Sequence, residues 1–99
     1  MPVAGIRATV VDFRQFRDAH DRFLERMDGR LRTALLMHRL YQSAEDPKEI
    51  LIVDEWVNVE ATQSMYSGAG FRDAEMNHLI VDVPQWSWYI ETDAKKIGP

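Results

Sequence analysis

The chain has 99 residues, of which 45% are hydrophobic and 28% charged, and its formal net charge is −4. These values are typical of one soluble globular domain, and the absence of a basic stripe argues against nucleic acid as a partner. Cysteine is absent, which excludes disulfides and thiolate metal sites. No apolar run has the length of a signal peptide or membrane span, so we expect no membrane partner and a cytoplasmic location.

The first two predicted elements are a strand and a helix. Residues 3–10 are short, apolar and partly β-branched, which favours a strand. Asp12 is the predicted N-cap of the helix, with Gln15 at the capping-box position, and Asp28-Gly29 is its predicted end. Apolar residues recur at helical spacing between these points and form one stripe: Phe13, Phe16, His20, Phe23, Leu24 and Met27.

The next segment is predicted to be a β-hairpin. Residues 32–43 favour a strand, the segment around Pro47 favours a turn, and the apolar run 50–57 favours a second strand that is covered on both faces. Alternation along the first of these strands places Leu36, His38 and Leu40 on one face, and Leu35, Met37 and Tyr41 on the other.

The remaining elements complete an α+β order. Asn58 is the predicted N-cap of a second helix, which Gly68 and Gly70 interrupt, and residues 71–79 favour a further short helix. Residues 85–92 form the last predicted strand. The order βαββαβ is that of the ferredoxin-like fold, with helices on one face of a four-stranded antiparallel sheet. We expect a single domain over residues 1–92 and a flexible tail over residues 93–99.

The second face of this sheet also needs a cover. Both alternating sets of the predicted hairpin contain large apolar residues, so a single helical layer would leave one set exposed. A second copy of the chain is the simplest cover, and the sequence therefore predicts a homodimer.

A family resemblance appears at this point. The segment 43–61, SAEDPKEILIVDEWVNVEA, followed by SGAGF at 67–71, resembles the antibiotic biosynthesis monooxygenase family of dimeric α+β barrels. The shared features are a strand-turn-strand that ends in Glu55-Trp56, a helix, and a Ser-x-x-x-Phe knuckle. The resemblance implies a pocket between sheet and helices. It also implies one of three activities: cofactor-free oxygenation of quinols and anthrones, haem degradation, or polyketide cyclisation in related barrels.

The residues of the haem-degrading branch are not retained. That branch uses an Asn on the first strand, a Trp on the second helix and a His after the knuckle. The first strand here has no Asn, and the other two positions match Met65 and Glu75. We therefore expect no cofactor, with haem as an alternative in which His78 would be a displaced ligand.

Several residues are candidates for chemistry and binding. We expect His38, within an apolar strand, to handle a proton, and the resemblance adds Trp56 as a second catalytic residue. The substrate would contact aromatic residues and one histidine: Phe23, Tyr66, Phe71, His78 and Trp88. His20 is expected to pack at the edge of the core. Asp54 and Glu55 interrupt an apolar strand on opposite faces, and we expect each to have a partner. Arg39 is expected to form an ion pair with one of them, and the alternative is that one of them acts as a general base.

No pair of histidines has the i,i+4 spacing of a metal site, so no metal centre is predicted. The predicted function is that of a cofactor-independent monooxygenase that acts on an aromatic polyketide or quinol, with molecular oxygen as co-substrate. Two alternatives stay open. One is a polyketide cyclase that uses the same pocket, and the other is a non-catalytic dimer that binds a hydrophobic metabolite or haem.

Overall fold

The computed structural model describes residues 2–27, 29–58, 60 and 73–98, with the backbone alone at residues 30–32. Its elements are, in order, β1 (Pro2–Thr9), α1 (Phe13–Arg26), α2 (Gly29–Ala34), β2 (Leu35–Gln42), β3 (Glu49–Trp56), α3 (Ala74–His78) and β4 (Gln85–Ile90). This order confirms the predicted α+β arrangement. The helix predicted after Asn58 lies almost entirely outside the described residues, and the described part of the predicted helix 71–79 is α3.

The four strands form one antiparallel sheet in the order β2-β3-β1-β4. This is the predicted ferredoxin-like sheet, in which the strands with the most buried residues, β1 and β3, lie at the centre. The side of the sheet that bears the buried alternate residues of β3 packs against α1. We call this side the helix face, and the opposite side the outer face. No helix among the described residues is long and apolar enough to cross a membrane.

Helix α1 begins and packs as its sequence predicts. The Asp12 carboxylate accepts a hydrogen bond from the Gln15 backbone N–H at 3.0 Å, which satisfies one of the amides that a helix start leaves unpaired. Phe16, Ala19 and His20 are the buried residues of the helix. They face the sheet, so α1 carries His20 toward β2 and β3.

The segment after α1 differs from the prediction. Gly29 does not end a helix in the left-handed conformation, because Gly98 is the one glycine with positive φ in the described part of the chain. Gly29 instead begins the short helix α2, where the Thr33 hydroxyl donates to the Gly29 carbonyl at 3.2 Å. A threonine hydroxyl bonded four residues back fits a helical turn, which explains why the predicted strand at residue 32 begins only at Leu35.

A register shift at the start of β2 changes the predicted faces. Leu35 pairs with Trp56 and Met37 pairs with Glu55, so β2 contains one residue more than β3 at this point. Leu35 therefore shares the helix face with His38, and Leu36 is 48% exposed. The prediction that Leu35 shares a face with Met37 was wrong because the sequence carries no signal of the bulge.

The core lies between α1, α3 and the helix face of the sheet. Its buried members come from all these elements: Ile6, Ala8, Val10, Phe16, Ala19, Ile50, Ile52 and Met76. Asp73 caps α3 by accepting the Met76 backbone N–H at 3.1 Å, which fixes the helix that brings Met76 into this cluster. The core thus holds α1 firmly against β3, the strand that bears Asp54.

The outer face is mixed in the described part of the chain, where partly open apolar residues lie beside charged ones such as Arg7, Arg39 and Glu55. Val3, Leu51 and Val53 are half-buried there, while Tyr41 and Tyr89 are 46% and 60% exposed. A shallow depression runs across this face over Gly5, where the glycine lacks a side chain. Apolar side chains grouped with charged ones in this way also occur at interfaces between proteins.

Candidate functional site

His38 and Asp54 lie directly opposite each other on β2 and β3. Both side chains point to the helix face, and His38 Nδ1 contacts Asp54 Oδ1. Their side chains are only 14% and 6% exposed, so the contact lies largely out of water. Arg39, predicted as the partner of Asp54 or Glu55, is paired in register with Val53 on the outer face and is exposed. Asp54 therefore pairs with an imidazole rather than with a guanidinium.

A second histidine joins this pair from the helix above. His20 of α1 is 5% exposed, and its Nε2 lies 2.6 Å from His38 Nε2. The ring planes differ by 15° and the centroids are 4.8 Å apart, which is close to the sum of the nitrogen separation and the two ring radii. The rings are therefore nearly coplanar and joined end to end, which is the geometry of a hydrogen bond and not of face-to-face stacking.

A carboxylate stands at each end of the two imidazoles. His20 Nδ1 lies 3.0 Å from Asp21 Oδ1, and the Asp21 side chain is 60% exposed. The contacts thus run from solvent at Asp21 through His20 and His38 to the buried Asp54. We call these four residues the histidine–carboxylate array.

Burial dominates the electrostatics of His20. Loss of water around the ring lowers the pKa of His20 below its ordinary value. The hydrogen bond with Asp21 opposes this shift in pKa, and the neighbouring His38 adds to it. His20 is therefore neutral at neutral pH, with a proton on one of its two nitrogens.

The array is suited to proton transfer. Carboxylates and imidazoles in hydrogen-bond contact are the usual groups of general acid–base chemistry. Both nitrogens of His38 already have partners inside the protein, so His38 exchanges a proton with a substrate only through Asp54 or after moving away from His20. A metal between the two rings does not fit this arrangement. Two histidine nitrogens that each lie about 2.0–2.1 Å from one tetrahedral ion are farther from each other than the Nε2 atoms of His20 and His38 are.

Two tryptophans flank the inner end of the array. Trp56 follows Asp54 by two residues on the helix face of β3 and is fully buried. Trp88 of β4 is 47% exposed and pairs with Ala4, which in turn pairs with Asp54. The small side chain of Ala4 therefore lies between the carboxylate and a partly open indole ring on the helix face of the sheet.

The structure distributes the other predicted site residues differently. Phe23 is half-buried against the core cluster, on the same helix as His20. His78 is exposed at the end of α3, in a groove with Gln15, Asp18, Arg22 and Glu75, none of which belongs to the array. Tyr66 and Phe71 lie outside the described residues. The structure thus brings His38 together with His20 and Asp54, and it places His78 on a separate surface.

Sequence reasoning missed two members of the array in this role. His20 was expected to pack at the edge of the core because it lies on the apolar stripe of α1, and no role was predicted for Asp21. A usable signal was present, since a histidine on a buried helical stripe faces the sheet, where His38 and Asp54 interrupt apolar strands. Joining them required the register of β2 and β3, which the sequence did not supply.

Comparison with known proteins supports the fold. No protein-family model matches the sequence, and no functionally curated protein matches it significantly. Among solved structures, a candidate antibiotic biosynthesis monooxygenase of Deinococcus radiodurans is 18% identical, with a TM-score of 0.71 and 100% of both chains covered. SnoaB, a cofactor-independent oxygenase of Streptomyces nogalater, is 15% identical, with a TM-score of 0.68 over 94% of this chain and 95% of that one.

The same fold also occurs in a structure whose description names no activity. A conserved protein of Methanosarcina mazei is 12% identical, with a TM-score of 0.71 over 93% of this chain and 94% of that one. Identities of this size establish a shared fold and leave the activity to be argued from the site. The chain therefore has the α+β fold of the antibiotic biosynthesis monooxygenase structures, as the resemblance at residues 43–71 predicted.

Proposed function

We propose that the chain is a cofactor-independent monooxygenase that acts on a flat, electron-rich aromatic substrate of the quinol or anthrone type. The observation that carries this proposal is the buried contact between His38 and Asp54, extended to His20, on the helix face of the sheet. SnoaB, which shares the fold, is described as a cofactor-independent oxygenase, and this description supports the same reaction class for this chain. Antibiotic or polyketide metabolism is the proposed setting.

The reaction requires two things of the protein, namely proton transfer and a site from which water is excluded. A deprotonated quinol or anthrone reduces oxygen directly, so the substrate supplies the electrons. The protein needs to bind the ring system, remove its acidic proton and stabilise the resulting anion away from water. In the proposal, Asp54 accepts this proton, which neutralises its carboxylate, and the contact with His38 orients Asp54 for the transfer.

Aromatic side chains would hold the substrate beside this pair. Trp88 is partly open on the helix face and lies across Ala4 from Asp54, so it is the best-placed described residue to stack on a flat ring. Trp56 is fully buried, so in the proposal it packs behind Asp54 and keeps the carboxylate dry. Phe23, Tyr66, Phe71 and His78 remain predicted substrate contacts.

The proposal includes a homodimer formed through the outer face. Val53 and Leu51 are half-buried apolar residues of this face, and Gly5 leaves a depression between them and Tyr89. A second sheet packed on it would remove this surface from water without touching the array, which lies on the helix face. The dimer would thus stabilise the sheet that positions His38 and Asp54.

Oxygen uptake tests the proposed activity most simply. Purified metal-free protein would be offered a panel of anthrones and hydroquinones in an oxygen electrode. We expect uptake with formation of a quinone, reduced about 10²-fold to 10⁴-fold in His38→Ala and in Asp54→Asn, the range typical of general acid–base catalysis. Asp18→Asn, an exposed carboxylate on α1 outside the array, is the matched control and should keep the wild-type rate.

The same experiment separates the alternatives. The array transfers protons and does not itself require oxygen, so a polyketide cyclase would use the same residues. Saturable quenching of tryptophan fluorescence without oxygen uptake would refute the oxygenase proposal and favour a cyclase or a hydrophobic-metabolite carrier. Conversion of a polyketide intermediate under nitrogen, lost in His38→Ala, would identify the cyclase.

A further inference from the structure

The two imidazoles of the array lie in a continuous line of contacts between Asp21 and Asp54. His20 Nδ1 faces Asp21, the two Nε2 atoms face each other, and His38 Nδ1 faces Asp54. All four ring nitrogens therefore have a partner within the array. Asp21, His38 and Asp54 are the ionisable groups that affect His20 from its own helix and from the two strands beneath it.

Counting protons assigns the donors. An ionised carboxylate only accepts, so each nitrogen that bonds to one needs a proton, and the Nε2 pair needs one proton between its two atoms. Three protons would fill all three contacts and give the rings one positive charge. Two neutral imidazoles carry only two protons, so one contact with a carboxylate lacks its proton.

Exposure decides which contact lacks the proton. The Asp21 carboxylate is 60% exposed and is satisfied by water, whereas the Asp54 carboxylate is 6% exposed and depends on its partners in the protein. The proton is therefore missing at His20 Nδ1. In the state with two protons on the rings, His20 donates from Nε2 to His38 Nε2, and His38 donates from Nδ1 to Asp54.

We infer that Asp21 and His20 are the solvent inlet of a proton path that runs through His38 to Asp54. A proton from water bonds to His20 Nδ1, the His20 Nε2 proton moves to His38 Nε2, and the His38 Nδ1 proton moves to Asp54. Both rings end neutral and Asp54 becomes a carboxylic acid, so only N–H and O–H bonds change. His20 and Asp21 act through His38 and are positioning residues.

The path has a consequence for the proposed oxygenase, on which this part of the inference rests. Once Asp54 has given its proton to the substrate, His38 Nδ1 has no proton and faces the carboxylate. The array is then set to accept a proton through Asp54 and to return to the loaded state. One array can thus take a proton from the substrate and give one back, without a water molecule in the site.

Nuclear magnetic resonance of the protein labelled with ¹⁵N in its histidines tests the path without any substrate. At neutral pH we expect His20 to be protonated at Nε2 and His38 at Nδ1. On acidification, the next proton should appear at His20 Nδ1. The proton between the Nε2 atoms should give one downfield signal, and this signal should disappear in His20→Gln and in His38→Gln.

Asp21→Asn tests the path more specifically than the histidine variants do, because Asp21 is on the surface and its replacement should leave the fold intact. The midpoint of His20 protonation should move to lower pH, because the variant loses the carboxylate that favours the charged ring. Asp18→Asn, on the same helix with a side chain 49% exposed, should leave the midpoint unchanged. Protonation first at His38, or an unchanged midpoint in Asp21→Asn, would overturn the inference.

Turnover separates this inference from the proposed function. If oxygen uptake occurs, its pH profile should move in Asp21→Asn in the same direction as the His20 midpoint, and should not move in Asp18→Asn. An unmoved profile in Asp21→Asn would overturn the role of Asp21 as an inlet, even with the expected protonation sites. If no substrate is oxidised but those sites are observed, the proton path stands and the oxygenase proposal fails.

Discussion

The buried contact between His38 and Asp54 should be measurable as a coupling in the free energy of unfolding. His38→Ala takes the imidazole partner from the buried Asp54 carboxylate, and loss of a hydrogen-bond partner by a buried polar group costs about 1–3 kcal/mol, with more for a charged group. Asp54→Ala takes the acceptor from His38 Nδ1, which costs about 1–3 kcal/mol for a buried donor. Each single replacement thus includes the penalty of stranding the other group.

The double variant removes both groups and should therefore cost less than the sum of the two single variants. We expect a coupling free energy of about 1.5–3 kcal/mol, the range for hydrogen bonds to charged groups. Urea unfolding followed by circular dichroism, at one fixed protein concentration, gives the four free energies of unfolding. Met37 and Glu55, the next pair in the same ladder but on the outer face, provide the matched cycle. If the coupling free energy of the His38–Asp54 cycle is no larger than that of the Met37–Glu55 cycle, His38 and Asp54 do not form a specific pair.

Three further predictions concern the rest of the molecule. Burial lowers the pKa of His20, so the unfolded chain binds more protons than the native chain just below pH 6.5. The free energy of unfolding should therefore fall on acidification through that range. Urea titrations should show a smaller fall in His20→Gln than in the wild type, and an equal fall would contradict this prediction. Phe16→Ala should lose about 3–5 kcal/mol in urea unfolding because its ring is fully buried, and a loss below about 1 kcal/mol would contradict the described core. Val53→Lys on the outer face should convert a dimer into monomers in analytical ultracentrifugation. Val81→Lys, at an exposed valine outside the sheet, should leave the dimer intact. If both variants are dimers, the interface lies elsewhere.

Much of the fold follows from local sequence signals. Asp12 caps α1 as predicted, Pro47 lies in the turn between β2 and β3, and Trp86 and Trp88 share the helix face while Tyr89 lies on the other. These features depend on neighbouring residues and on the two-residue period of a strand. Helix α2 and the bulge at Leu36 were missed, because neither depends on a residue type that is restricted to that conformation.

The site was predictable only in part, for a related reason. His38 was recognised because a histidine in an apolar strand is unusual, and Asp54 because a buried carboxylate needs a partner. The sequence offered only Arg39 as a partner for Asp54 or Glu55, and His38 was not predicted in that role because the pairing depends on the register of β2 and β3. The contact with His20 depends on how α1 crosses the sheet, which is a property of packing and not of local sequence.

The central claim is that the array supplies proton transfer to a substrate that then reduces oxygen unaided. It is tested most directly by the pH dependence of oxygen uptake in His38→Ala, with an anthrone as substrate. If the array removes the substrate's proton, the variant should be slow at neutral pH and should approach the wild-type rate as the medium itself ionises the substrate. A variant that stays slower than the wild type by the same factor at every pH would contradict the account.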